Sequence, residues 1–322
     1  MKSYEIEKDK DGKRGVADMA WAIAIAAALV LAYLGIGLVF ARRAIDPPRR
    51  LYKDVLREEL ECGNLKDDTL LQLPFQQVSG QSVRGCPLVA RLYRPKEKSA
   101  RYVLFLHGYN YPYISALKYL SLFLERGINV LIPDHAGAGE SGGRYATFGY
   151  FEQQDAVNWL GRIRGWARDE GFSAAQIGVM GESMGAATAL LVAQKAKGLR
   201  FCIADCPYPS WMAILRYRAR VEIGPWAVGF IPAARLWIYL LSGARVKKVD
   251  IAAHAGEIGM PAMIIHGEAD DYIPWALSHK IIEANPAIAY HLIPGARHAQ
   301  SIGRAPTEYR EIVWQFLDQA GF

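Results

Sequence analysis

Gly181-Glu182-Ser183-Met184-Gly185 stands between the apolar run Ile177-Gly178-Val179-Met180 and the alanine-rich stretch Ala186-Ala187-Thr188-Ala189-Leu190-Leu191. A short apolar run followed by small, helix-forming residues reads as a buried strand that turns sharply into a helix. Such a turn leaves no room for Cβ atoms on either side, hence the two glycines, and it lifts the serine hydroxyl clear of the sheet. The pattern Gly-x-Ser-x-Gly recurs by chance in chains of this length. It is the strand before it and the helix after it that give this serine the meaning of a nucleophile rather than of an ordinary glycine-rich turn.

A serine nucleophile needs a base, an acid that orients the base, and donors for the oxyanion. On a sheet of this kind the order along the chain is Ser, then Asp or Glu, then His. Ala262-Met263-Ile264-Ile265-His266-Gly267 reads as a buried strand, and the loop leaving it, Glu268-Ala269-Asp270-Asp271-Tyr272-Ile273-Pro274, brings carboxylates to its end. Asp270 is assigned as the acid; Asp271 and Glu268 are the alternatives, solvated loop charges otherwise. The next apolar run, Ala289-Tyr290-His291-Leu292-Ile293-Pro294, ends in Gly295-Ala296-Arg297-His298-Ala299, so His298 also follows a strand end. That edge of an open α/β sheet is where reacting groups collect. Among the seven histidines His298 is therefore taken as the base. His107 lies too early and shapes a turn; His266 sits inside a strand run and reads as a core histidine. His135, His254, His279 and His291 lack a strand-end glycine.

Two backbone N–H groups are assigned to the oxyanion hole, those of Met184, after the nucleophile, and of Tyr109, after His107-Gly108. The remaining apolar runs give strands at 75–79, 87–93, 102–107, 129–133 and 201–205, besides those at 177–181, 262–266 and 289–293. Helical stretches fill the gaps near 113–126, 151–165, 184–197, 275–284 and 307–319. This alternation predicts an α/β protein, a mainly parallel sheet covered by helices on both faces.

Together these residues resemble the serine α/β-hydrolase family. Asp134-His135-Ala136-Gly137-Ala138-Gly139-Glu140-Ser141 is similar to the family's Asp-x-x-Gly-x-Gly-x-Ser loop after the fourth strand. The stretch from Gly142 to Tyr150, with Glu152 and Asp155 ahead of Trp159-Leu160, is most similar to the branch of esterases, monoglyceride-lipase-like enzymes and serine-aminopeptidase-like relatives. The likeness covers residues 75–322. It departs from the His-Gly-Gly-Gly subgroup, because His107-Gly108-Tyr109-Asn110 stands at the oxyanion turn, and it has His135 where many relatives have Arg.

The resemblance implies an α/β-hydrolase fold and hydrolysis of carboxylic esters, lipid acyl esters among them, through an acyl-serine intermediate. Acyl transfer or peptide hydrolysis on the same triad is the alternative within enzymes; a catalytically silent binding or scaffold protein is the alternative outside them. The family places a cap in the long interval between the strands at 201–205 and 262–266, here residues 208–250. That span holds Trp211, Met212, Leu215, Trp226 and Phe230 amid seven Lys or Arg and two acids. It reads either as a lid over an apolar acyl site lined by those five residues or as plain helical cover of the sheet. Most of the net charge of +6 lies there, which suits an anionic membrane or headgroup. No nucleic-acid recognition motif, dinucleotide loop or zinc spacing is present, and neither a cofactor nor a metal is expected.

No charged residue occurs from Met19 to Ala41. As a helix this run is about 34 Å long, against a hydrocarbon core near 30 Å, so residues 19–41 are expected to cross a membrane once. A cleavable signal peptide is the rival reading, disfavoured by the length of the run. Residues 1–18 form a polar tail and 42–74, with Pro47-Pro48, a juxtamembrane linker. Four basic residues before the span (Lys8, Lys10, Lys13, Arg14) face five after it (Arg42, Arg43, Arg49, Arg50, Lys53), which leaves the side of the hydrolase domain open. Cys202 and Cys206 read as buried thiols, whereas Cys62 and Cys86 can pair only if the linker folds back. The oligomeric state is left open.

Overall fold

Eight strands form one sheet in the order β1-β2-β4-β3-β5-β6-β7-β8. They are β1 (Phe75–Gln81), β2 (Pro87–Tyr93), β3 (Arg101–Leu106), β4 (Asn129–Pro133), β5 (Gln176–Glu182), β6 (Leu199–Asp205), β7 (Ala262–Gly267) and β8 (Ala289–Ile293). This computed structural model describes residues 2–322, with side chains from Met19 onward, so the side chains of the polar tail lie outside it. β2 pairs antiparallel with β1 and with β4; the remaining pairs are parallel. β4 and β7 are buried along their whole length, as parallel strands covered on both faces must be.

The helices are α1 (Lys2–Ile45), α2 (Tyr52–Glu61), α3 (Leu120–Leu124), α4 (Glu152–Asp169), α5 (Met184–Ala193), α6 (Trp211–Glu222), α7 (Ile231–Ser242), α8 (Trp275–Ala284), α9 (Ser301–Arg304) and α10 (Pro306–Gln319). Two apolar layers result, one on each face of the sheet. One includes Trp159, Leu190 and Ile238; the other includes Phe105, Phe123 and Val313. The helix expected at 113–126 is a 3-10 turn, Tyr113–Tyr119, leading into the short α3. All seven residues of the turn are buried, so tertiary contacts on every side set its pitch rather than an amphipathic period.

The 208–250 interval forms a cap of α6, a 3-10 turn at Pro225–Phe230, and α7. Its two stems are tied together by a bridge between Ser210 and Asp250 and by the Trp211 N–H donating to the Val249 carbonyl at 3.0 Å.

The segment before Phe75 corrects the sequence reading most. Residues 42–74 are not a loose linker: α1 continues to Ile45, α2 follows, and Ile45, Val55 and Leu65 are buried in the cores of the hydrolase domain. The apolar stretch of α1 is likewise not free along its length. A Cβ on Gly37 would lie 2.4 Å from Ala233 Cβ of α7, and Ala41 is wholly buried. Although this segment folds back, Cys62 and Cys86 both remain free thiols.

Candidate active site

Ser183 caps α5 at φ 55° and ψ −115°, a conformation that costs a non-glycine residue about 1–3 kcal/mol and that only the surrounding packing can hold. That packing depends on the flanking glycines. A Cβ on Gly185 would sit 1.9 Å from the Leu106 carbonyl oxygen, and one on Gly181 would sit 2.2 Å from the Gly185 carbonyl oxygen. The helix can therefore press against β3 and β5 only with hydrogen at both positions.

Asp270 and His298 are brought to this serine from the ends of β7 and β8. His298 Nε2 lies 2.9 Å from Ser183 Oγ, and its Nδ1 lies 2.7 Å from Asp270 Oδ2. Asp270 Oδ1 accepts the Tyr272 and Ile273 N–H groups at 2.9 and 2.8 Å. Burial alone would raise its pKa, but hydrogen bonds from His266 and His298 and the charge of His298 hold the carboxyl far below the ordinary carboxylate range. The other two carboxylates of the loop go elsewhere: Asp271 is a surface partner of Arg297, and Glu268 faces the Gly295 N–H. His266 is buried as expected, yet it is more than core. Its Nε2–H is shared between the Ile273 carbonyl (2.8 Å) and Asp270 Oδ2 (3.1 Å), while Ser278 Oγ meets Nδ1 at 2.9 Å.

The turn after β3 passes directly beside the serine, a Cβ on Gly108 falling 3.6 Å from Ser183 Cβ. His107 fixes it. Its Nε2 accepts the His135 N–H at 2.8 Å, which leaves Nδ1 to donate to the Gly108 carbonyl, also at 2.8 Å. Complete burial lowers the His107 pKa and keeps the ring neutral for this double role. Among the described residues, neither the Tyr109 nor the Met184 N–H has an acceptor inside the protein. Both are thus available for a developing oxyanion. His135, unexplained by the sequence, serves through its backbone N–H and packs its ring 4.3 Å from that of His107.

Two cavities meet at Ser183. One, of 250 Å³, is apolar and is lined by Phe40, Phe148, Leu215, Ile231, Ile238 and Tyr272. The other, of 330 Å³, also reaches His298 and is lined by Arg50, Glu58, Asn64, Tyr111 and Gln300. Of the five cap residues assigned to the acyl site, Leu215 alone lines the apolar cavity. Trp211 is fully buried and stacks on Phe148 at 5.0 Å, so it backs the wall; Met212 packs into the core. Trp226 and Phe230 turn toward α1, Phe230 stacking on Tyr33 at 5.2 Å and both rings meeting Phe40. The sequence reading misses this because it treats α1 as a separate span with nothing to pack against.

It also misses a buried charge cluster behind the nucleophile. Lys118 Nζ sits 2.7 Å from Glu182 and 3.1 Å from Glu59, all three side chains being 5% exposed or less. Burial would lower its pKa, but the two carboxylates more than reverse this and raise it, so Lys118 stays charged. It also donates to the Ala299 carbonyl at 3.0 Å, which Asn64 Nδ2 reaches at 3.1 Å. Ala299, next to the base, is held at φ 58° by these two donors. The available signal was a lone lysine in the apolar run Tyr113–Leu124, which cannot be buried without partners. Cys206 Sγ, Asp270 and His298 lie within 4.8 Å of one another. Burial pushes the Cys206 thiol up, and the other two are engaged with each other as base and acid.

This chain belongs to the serine α/β-hydrolase family. The family of X-Pro dipeptidyl-peptidases (S15 family) matches residues 84–224. The protein YqkD of Bacillus subtilis is 31% identical over 294 residues, 90% of this chain and 95% of its own length. The Pyrococcus furiosus esterase Pf2001 shares the fold at a TM-score of 0.62 and 23% identity, covering 85% of this chain and 98% of the esterase. The Pyrococcus horikoshii acylaminoacyl peptidase does so at 0.57 and 15% identity, covering 76% of this chain and 41% of the peptidase. The hydrolase fold is therefore established, with both esterases and peptidases among similar structures.

Proposed function

We propose that this hydrolase cleaves carboxylic esters of apolar acids through an acyl-Ser183 intermediate. The observation that carries the reading is the position of Ser183 between a mainly apolar cavity of 250 Å³ and a second cavity lined by charged and polar side chains. His298 takes the Ser183 proton as Oγ attacks the ester carbonyl, and Asp270, fixed as a carboxylate by four donors, stabilises the imidazolium that forms. The Tyr109 and Met184 N–H groups collect the oxyanion charge. His298 then hands its proton to the leaving alcohol, which departs through the polar cavity, and a water activated by the same imidazole releases the acid. Residues 19–41 anchor the protein to a membrane as one span. The burial of Ala41 and Ile45 speaks against removal of this segment as a signal peptide.

Peptide hydrolysis is a second reading, favoured by the S15 match and the peptidase neighbours. Against it, the three carboxylates of the polar cavity are already engaged, Glu58 by Arg50 and Tyr111, Glu59 by Lys118 and Asn64, and Glu182 by Lys118 and Tyr119. None is free to hold a peptide's amino group. Purified enzyme should take up a fluorophosphonate probe at Ser183 and hydrolyse p-nitrophenyl esters, faster with lengthening acyl chain until the cavity is filled. Labelling without ester turnover, together with cleavage of aminoacyl anilides, would turn the assignment to the peptidase. Absence of labelling in folded protein would leave only a silent member of the fold.

A further inference from the structure

The apolar stretch of α1 is longer than the part of it that the protein leaves uncovered. Residues 19–32 point outward, with Trp21, Ile23, Ile25, Leu29 and Leu31 between 59% and 71% exposed. From Tyr33 onward the cap clasps the same helix. Tyr33 Oη donates to the Gly229 carbonyl at 3.0 Å, and Trp237 Nε1 donates to the Leu34 carbonyl at 2.8 Å. Gly37 lets α7 approach so closely that no larger residue fits there.

The free stretch, fourteen residues at 1.5 Å each, is about 21 Å long, roughly 9 Å short of the hydrocarbon core it has to cross. A bilayer spanned by α1 must therefore rise to the level of the cap residues that clasp Tyr33 to Ala41. The cap surface is prepared for that. Trp226, Leu236, Tyr239 and Leu240 are 59%, 46%, 47% and 59% exposed, and none of them has work to do in the acyl cavity. Tryptophan and tyrosine are the residues that settle at the boundary between headgroups and acyl chains.

We infer that the cap is embedded in the near leaflet beside α1, and that the acyl cavity receives its substrate sideways from the bilayer. Phe40, Arg43 and Ala44 of α1 and Leu215, Arg218 and Ile238 of the cap line the same cavity, so its walls are membrane-level elements. The substrate class that follows is an amphiphilic ester resident in the bilayer. This inference rests on α1 crossing the membrane and, for its substrate, on the hydrolase reading.

The test uses the full-length chain in phosphatidylcholine liposomes, with Cys62→Ser and Cys86→Ser and one nitroxide at a time on Ile25→Cys, Leu236→Cys, Leu240→Cys or Lys98→Cys. Oxygen should relax the labels at 25, 236 and 240 more than nickel-EDDA does, and the reverse should hold at 98. Nickel dominance at 236 and 240 with oxygen dominance at 25 would put the cap in water and overturn the inference; nickel dominance at 25 would remove its premise and overturn it too. Neither readout depends on turnover, and fluorophosphonate labelling of the same samples tests the hydrolase reading separately. In an activity assay, Leu236→Asp with Leu240→Asp should slow hydrolysis of a vesicle-borne long-chain ester about fivefold while leaving p-nitrophenyl acetate unaffected, because the aspartates oppose immersion of the cap. Equal rates on the vesicle-borne ester would refute entry from the bilayer.

Discussion

A chain beginning at Phe75, where the family likeness begins, should fail to fold stably, whereas one beginning at Tyr33 should fold. The residues lost in the first case include Ile45, Val55 and Leu65, which are 4% exposed or less and lie in both core layers. At about 1.5–3 kcal/mol for each fully buried aliphatic side chain, their removal costs roughly 5–9 kcal/mol. Loss of Glu59 also strips Lys118 of one of its two carboxylates, and breaking such a buried pair costs about 3–5 kcal/mol. The total matches the 5–15 kcal/mol that holds a typical domain together. A start at Tyr33 removes only the outward-facing part of α1 and keeps the clasped half. Both chains would be purified in detergent and compared with the full-length protein by thermal unfolding and by fluorophosphonate labelling of Ser183. The reasoning fails if the Phe75 chain melts within a few degrees of the full-length protein and labels at the same rate.

Asp270→Asn should reduce ester hydrolysis by about three to four orders of magnitude by stabilising the wrong imidazole tautomer, while Asp271→Asn should leave it near wild type; the two kcat/KM values decide between the carboxylates. Because the Asp270 carboxyl titrates far below its unfolded value near 4, its contribution to stability is fully present above about pH 4 and is lost as pH falls through its folded pKa. Asp270→Asn should accordingly flatten the fall of Tm on acidification below pH 4, read by calorimetry. Asn64→Ala should remove one donor from the Ala299 carbonyl and one from the buried Glu59, lowering kcat more than it raises KM and lowering Tm modestly; a loss of Tm with kcat unchanged would mark the contact as merely structural. Gly185→Ala, whose Cβ would meet the Leu106 carbonyl, should abolish labelling of Ser183, and retention of labelling would contradict the packing described for the turn.

The sheet was legible because parallel strands buried on both faces must be continuous apolar runs. β4 and β7 begin and end within a residue of where those runs do. The elbow was legible because its glycines answer to contacts made within a few residues and to the neighbouring strand. Residues 42–74 were illegible for the opposite reason. The ten-residue α2 buries Val55 and, one turn later, Glu59, and a glutamate on a buried face reads as solvent. Its partner Lys118 lies 59 residues downstream, beyond any periodicity a sequence can display. The cap failed similarly. Trp226 and Phe230 look like acyl-site residues until Tyr33 and Phe40, nearly 200 positions away, are seen to claim them.

These long-range partners change what the segment before Phe75 is for. An anchor joined by a loose linker would hold the enzyme near a membrane and leave its site unaffected by what the bilayer does. Here α1 supplies Phe40, Arg43 and Ala44 to the apolar cavity, and Tyr109, whose N–H is assigned to the oxyanion hole, donates its hydroxyl to the Ala44 carbonyl at 2.9 Å. α2 and the residues around it supply Arg50 and Glu58 to the polar cavity, and Glu59 and Asn64 to the support of His298. Ser183, Asp270 and His298 follow the ends of β5, β7 and β8, but the walls of both cavities beside them are completed by residues before Phe75. Residues outside the segment that carries the family motifs thus share in shaping both cavities beside Ser183, and relatives that share Gly-x-Ser-x-Gly but differ before residue 75 should differ in what they cleave.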